Sequence, residues 1–160
     1  MLRFKQILFI LVFGCFFQSG FSQVGINTTT PLSTLDINGN LSVKEIGVNT
    51  VLNGGPSGTP TQINDGVYIS LTPSGSNNDF ELPNPTTVPG RIYIIRNIST
   101  SNTAYLLING TPTSSTGRFF AKDSSSPTPL SGIPVINMPS SGLLKTIILI
   151  SDGKNWTYFF

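Results

Sequence analysis

The stretch Leu82 to Ser99, LPNPTTVPGRIYIIRNIS, constrains the fold of this chain more than any other. A turn built from Pro83, Pro85, Pro89 and Gly90 leads into a strand over Arg91 to Ile98 with apolar residues on both faces. A strand exposed on one side alternates apolar with polar side chains, whereas one covered above and below reads as a nearly continuous apolar run. Lys145 to Ser151, KTIILIS, has the same character. These two segments predict an all-β fold, a β-sandwich or jelly-roll-like domain, because a second layer is needed to cover them.

The remaining strands are legible from alternation. Gly66 to Thr72 sets Val67, Ile69 and Leu71 on one face and Tyr68 on the other. Asp79 to Leu82 reads as a short strand after a turn, and Ala104 to Ile108 follows Arg91 to Ile98 closely enough for the two to pair as a hairpin. Asn155 to Phe160 closes the pattern with Trp156, Tyr158 and Phe160 on one face. Residues 111–142 are dominated by Ser, Thr, Pro and Gly, a weakly patterned run far longer than the usual loop of about 4–6 residues. Short edge strands and exposed loops are expected there.

Residues 1–22 have the form of a secretory signal peptide. Arg3 and Lys5 precede the apolar run Ile7 to Phe13, and the small residues Gly20 and Ser22 stand at minus three and minus one for cleavage before Gln23. The run is shorter than the roughly 20 residues a spanning helix needs, so no transmembrane segment is expected. Cys15 follows Leu-Val-Phe-Gly, but Phe13 at minus two fits a lipid-modified cysteine poorly. A secreted or cell-surface location follows. The 138 residues after Ser22 contain no Cys and no His, and seven Lys and Arg against seven Asp and Glu. A neutral chain offers no electrostatic footprint for nucleic acid. Without disulfides, the exported domain must be held by its core.

Residues 23–53 form an N-terminal collar-like β motif, residues 54–62, dense in Gly and Pro, a linker, and residues 63–160 a C-terminal β-domain. Within the first, Val24 and Ile26 alternate with small or polar residues. Thr30-Pro31 suits the start of one helical turn over TPLST. Leu35 to Ile37 faces Leu41 to Val43 across Asn38-Gly39, a strong β-hairpin signal. A two-stranded hairpin is marginal alone in water. Its apolar residues must dock on the downstream domain or on the same motif in other subunits.

Val24-Gly25-Ile26, Thr30-Pro31, Leu35-Asp36-Ile37 and Gly39 resemble the VGI-T-TP-LDV-G motif of secreted bacterial surface proteins with phage tail-fibre-like architecture, where it commonly precedes an often trimeric β-region. The resemblance widens downstream. Leu82, Pro83, Pro89, Gly90, Arg91, Tyr93, Ile95 and Asn97, with Ser151, Asp152, Gly153, Asn155 and Trp156, are similar to the LP-PGR-Y-I-N and SDG-NW phrases that open and close a tail-fibre-like head domain. Arg96 stands where Lys is commoner. The resemblance touches most of the mature chain, and it implies architecture rather than activity, because fold does not fix function.

Chemistry is sparse. Catalysis by the usual nucleophile and base lacks a His, and thiol chemistry lacks a Cys. Asp79 and Glu81 share one strand face, which evokes the paired carboxylates of glycoside hydrolysis, but adjacent carboxylates on a strand more often mark a solvated edge. Asp152-Gly153-Lys154-Asn155 lacks the alternating acidic ligands of a calcium loop and reads as a hairpin turn. Tyr68, Tyr93, Tyr105, Trp156 and Tyr158 offer stacking surfaces to sugars, yet most sit among apolar neighbours in strands, and Trp156 reads as core. Asn-x-Ser/Thr words include those at Asn27, Asn97 and Asn155; in a bacterial protein of the kind the resemblance implies they carry no role. The expectation is a non-catalytic, exported structural or adhesive protein, homo-oligomeric and by resemblance trimeric, with no catalytic, cofactor or metal residues. Its partners are expected among glycans or cell-surface components. The alternative is a monomeric carbohydrate-binding module using the loops of residues 111–142.

Overall fold

The computed structural model describes residues 23–47, 51–111, 113, 115–128 and 133–160, together with Arg3 and Gln6. The expected signal segment, those two residues apart, and Cys15 lie outside the described residues. The chain divides into two compact units, Met1–Ser42 and Val43–Phe160.

In the first unit, β1 (Val24–Ile26) and β2 (Leu35–Ile37) pair in parallel, with Val24 opposite Leu35 and Ile26 opposite Ile37. The hairpin expected across Asn38-Gly39 is not formed, and residues 40–44 belong to no strand. Asn38 is taken by β1 instead. Its N–H donates to the Ile26 carbonyl at 3.0 Å and its own carbonyl accepts the Asn27 amide at 3.0 Å, so neither group is left to close a turn. Parallel strands are usually joined by a dozen or more residues; residues 27–34 suffice here because the loop folds tightly on itself. A Cβ on Gly25 would lie 2.5 Å from the Thr28 carbonyl oxygen, so only glycine permits this approach. The Asp36 carboxylate accepts the Leu32 N–H at 2.8 Å, and the segment runs as bends rather than as the expected helical turn.

The second unit is a β-sandwich of two mixed sheets. Its strands are β3 (Glu45–Ile46), β4 (Leu52–Asn53), β5 (Gly55–Pro56), β6 (Thr61–Gln62), β7 (Tyr68–Thr72), β8 (Asn77–Leu82), β9 (Ile92–Asn97) and β10 (Ala104–Ile108). Then come β11 (Phe119–Ala121), β12 (Pro127–Thr128), β13 (Val135–Met138), β14 (Thr146–Ser151) and β15 (Trp156–Phe159). The large sheet runs β12-β11-β15-β14-β9-β7-β3, with β4 also on β7. The small sheet runs β13-β10-β8-β5, with β6 also on β8. Residues 54–62, expected as a linker, therefore belong to the sandwich: β5 and β6 both pair with β8. The run 111–142 supplies β11, β12 and β13; β12 and β13 are edge strands, as its composition predicts, whereas β11 lies inside the large sheet between β12 and β15 and buries Phe119.

β9 and β10 do not form the expected hairpin. β9 pairs with β7 and β14 in one sheet, and β10 with β8 and β13 in the other. The buried Asn97 side chain explains the crossing. Its amide donates to the carbonyls of Asn102 at 2.8 Å and Met138 at 2.9 Å, and its oxygen accepts the Ser99 N–H at 2.9 Å. These bonds turn the chain off the large sheet and tie it to β13.

The core lies between the sheets. Leu82, Leu106, Ile136 and Met138 from the small sheet meet Ile69, Tyr93, Ile95, Ile147, Leu149 and Trp156 from the large one, all buried. Trp156 lies 5.6 Å from Tyr93, ring to ring, and its indole N–H donates to the Pro83 carbonyl at 3.2 Å. The Ser151 hydroxyl donates to the Pro85 carbonyl at 3.0 Å, and the Gly90 N–H to the Ser151 carbonyl at 3.0 Å. The two sequence phrases LPNPTTVPGRIY and SDGKNW thus meet at one place and serve as scaffold. β14 is an in-plane neighbour of β9 and β15 follows β14 in the same sheet, so neither covers it; the covering layer is β8, β10 and β13. That layer covers one face only. On β9 and β14 the expected burial of both faces is not met, since Ile92 is 46% exposed and Ile148 41%.

Candidate functional site

The two outer faces of the sandwich carry what the core does not use. On the large sheet, Tyr68, Ile94, Ile148 and Phe159 are placed side by side by the register of β7, β9, β14 and β15. Ile92 and Ile150 form a second row beside them. Ile92, Ile148, Ile150 and Phe159 remain 37–46% exposed. Single exposed apolar residues are ordinary on a protein surface, but a contiguous block marks an interaction face.

The outer face of the small sheet is different. β8 and β10 run parallel, with Tyr105 opposite Asp79 and Leu107 opposite Glu81. On the far side of β10, Asn137 stands opposite Tyr105 and Val135 opposite Leu107; Gln62 on β6 stands opposite Glu81. Phe80 and Leu82 point into the core, so Asp79 and Glu81 share the outer face, as their spacing predicts. One Glu81 oxygen accepts the Gln62 amide and, at 2.9 Å, the Asn109 amide. Asp79 and the Tyr105 hydroxyl make no hydrogen bond among the described residues.

Other expected features are structural. Tyr93, Trp156 and Tyr158 are buried, whereas Tyr68 and Tyr105 are half-buried on opposite outer faces. The Asp152 carboxylate accepts the N–H groups of Lys154 at 2.7 Å and Asn155 at 2.6 Å, closing the turn with Gly153 at φ 86°. Asn155 accepts the Arg118 N–H at 3.0 Å and donates to the Ser115 carbonyl at 3.1 Å, pinning residues 115–118 beside the start of β15. Asn97 and Asn155 are thus bonding groups of the fold.

The titratable groups with displaced equilibria lie away from either face. Asp65 is held below its ordinary value by its hydrogen bond from Lys44, with which it forms an exposed ion pair, and by the Gly66 N–H. Tyr93 is pushed up by burial, opposed by the neighbouring Arg91. A small cavity of about 180 Å³ lies under Ile46, Leu52, Ile63 and Ile69, with Gln62, Asn64 and Asp65 also lining it. That is below the range of roughly 300–1,000 Å³ typical of ligand pockets. Among the described residues no three His, Cys, Asp or Glu side chains cluster to hold a metal ion, and no helix is long and apolar enough to cross a membrane. No family model, curated protein or solved structure matches this chain.

Proposed function

We propose that the protein is an exported, non-catalytic structural or adhesive component of a cell surface, of tail-fibre-like architecture, that assembles with copies of itself, a trimer being the state the sequence resemblance favours. The observation that carries this reading is the contiguous apolar face formed by Tyr68, Ile92, Ile94, Ile148, Ile150 and Phe159. Burying apolar surface is the main driving force of association, at about 25 cal/mol per Å². The N-terminal unit adds to it: Val24, Ile26, Leu32 and Leu35 are all more than half exposed, and a two-stranded pair has no core of its own. The arrangement of tail-fibre-like phrases and the signal-like start supply the exported, surface part of the reading.

Sedimentation velocity of the purified protein over a hundredfold range of concentration tests it. Self-association is expected, and Ile94→Asp with Ile148→Asp should shift the population to monomer while the melting transition is retained. A wild-type protein that stays monomeric throughout defeats the proposal.

A further inference from the structure

We infer that the outer face of the small sheet is a binding platform for neutral saccharides, centred on Tyr105. The inference rests on the adhesive half of the proposed function and gives it a ligand class and a site. Tyr105 lies half-buried in the middle of the sheet, between Asn137 on β13 and Asp79 on β8. Neighbouring strands lie about 4.7–4.9 Å apart in the hydrogen-bonding direction. A sugar ring lying on the tyrosine therefore has an amide at one edge and a carboxylate at the other.

Carboxylates accept two hydroxyl hydrogens at once, and bonds to a charged acceptor are stronger than neutral ones. The amide of Asn137 supplies both a donor and an acceptor. The apolar face of a pyranose, its C–H groups, matches the aromatic ring and the adjoining Leu107.

Glu81 shows that the face is organised rather than merely solvated. Gln62 from β6 and Asn109 from the segment after β10 both donate to the same Glu81 oxygen. Fixing three flexible side chains on an exposed surface costs conformational entropy. What it produces is a carboxylate held in one orientation, with its second oxygen making no hydrogen bond among the described residues and set in the row next to Tyr105. Asp79 and Glu81 give this face two acidic groups and none of the residues named on it is cationic, so sialylated and sulfated sugars are disfavoured. A single sheet face holds each sugar weakly, and several copies acting together supply useful retention.

An array of neutral, sialylated and sulfated glycans, which displays many copies of each ligand, tests the platform with the purified protein. Retention of neutral glycans is expected, reduced at least tenfold by Tyr105→Ala and reduced by Glu81→Gln, and unchanged by Tyr68→Ala on the opposite face. Should Tyr105→Ala fail to give a cooperative melt, Asp79→Asn replaces it with the same expected loss. Absence of neutral-glycan binding overturns the inference, as does binding that survives these substitutions or disappears only when residues 113–117 are replaced. A protein that self-associates in the ultracentrifuge yet retains no glycan overturns the platform alone and leaves assembly standing.

Discussion

Asn97 is the residue on which the two-layer arrangement turns. It ends β9, is fully buried, and spends both sides of its amide on three backbone groups, one of them the Met138 carbonyl on the opposite sheet. Asn97→Ala removes the partner of the Met138 carbonyl in the core and of two part-buried backbone groups, which costs about 1–3 kcal/mol beyond the lost packing. Chemical denaturation should show the loss as a lower midpoint, while Ser99→Ala, which keeps the backbone N–H, should cost much less. A midpoint unchanged in Asn97→Ala would mean that the β9 to β10 crossing does not depend on this side chain.

At the scale of elements, β15 is the strand the large sheet can least spare. It lies between β11 and β14 and delivers Trp156 and Tyr158 to the core. Removing a buried Trp side chain alone costs about 3–5 kcal/mol, against a typical total stability of about 5–15. Deletion of residues 156–160 is therefore expected to abolish the cooperative thermal transition seen by circular dichroism; a truncated chain that melts like the intact one would refute the placement. The strands themselves were legible in the sequence because β7 and β15 alternate and β9 and β14 are near-continuous apolar runs. Their partners were not. Parallel pairs such as β7 with β9, β8 with β10 and β11 with β15 join segments separated by other elements, and no local turn announces them. The Asn38-Gly39 turn signal and the proximity of β9 to β10 misled for one reason: in both cases an Asn side chain or backbone was already engaged elsewhere. The same limit applied to the candidate site. That Asp79 and Glu81 share a face follows from a period of two, but Tyr105 is brought beside them only by the parallel register of β8 and β10.

The molecule as a whole should respond to pH at both extremes. The folded state holds Tyr93 above its ordinary value near 10 through burial, so the unfolded chain ionises first. The stability Tyr93 contributes is therefore intact below about pH 10 and is lost as pH rises from there through its folded value. Tyr93→Phe should flatten the fall in melting temperature between pH 9.5 and 11; an unaltered slope would assign alkaline unfolding to other groups. Asp65 acts in the opposite sense. Its lowered value means its contribution is present above the ordinary carboxylate range and fades as pH falls through its folded value, a slight effect because the pair with Lys44 is exposed.

The interior position of β15 also sets the order of events when the chain is made. Synthesis proceeds from the N-terminus, so β7, β9 and β14 are available before residues 156–159 exist, and β11 has no neighbour in the body of the large sheet until they do. Until β15 slides into that slot, the buried side of β14 and the ring of Tyr93 stay uncovered on one flank. Before residues 156–159 are made, a nascent chain of this design carries a sticky, half-built sheet, and that is the species a holding chaperone would meet.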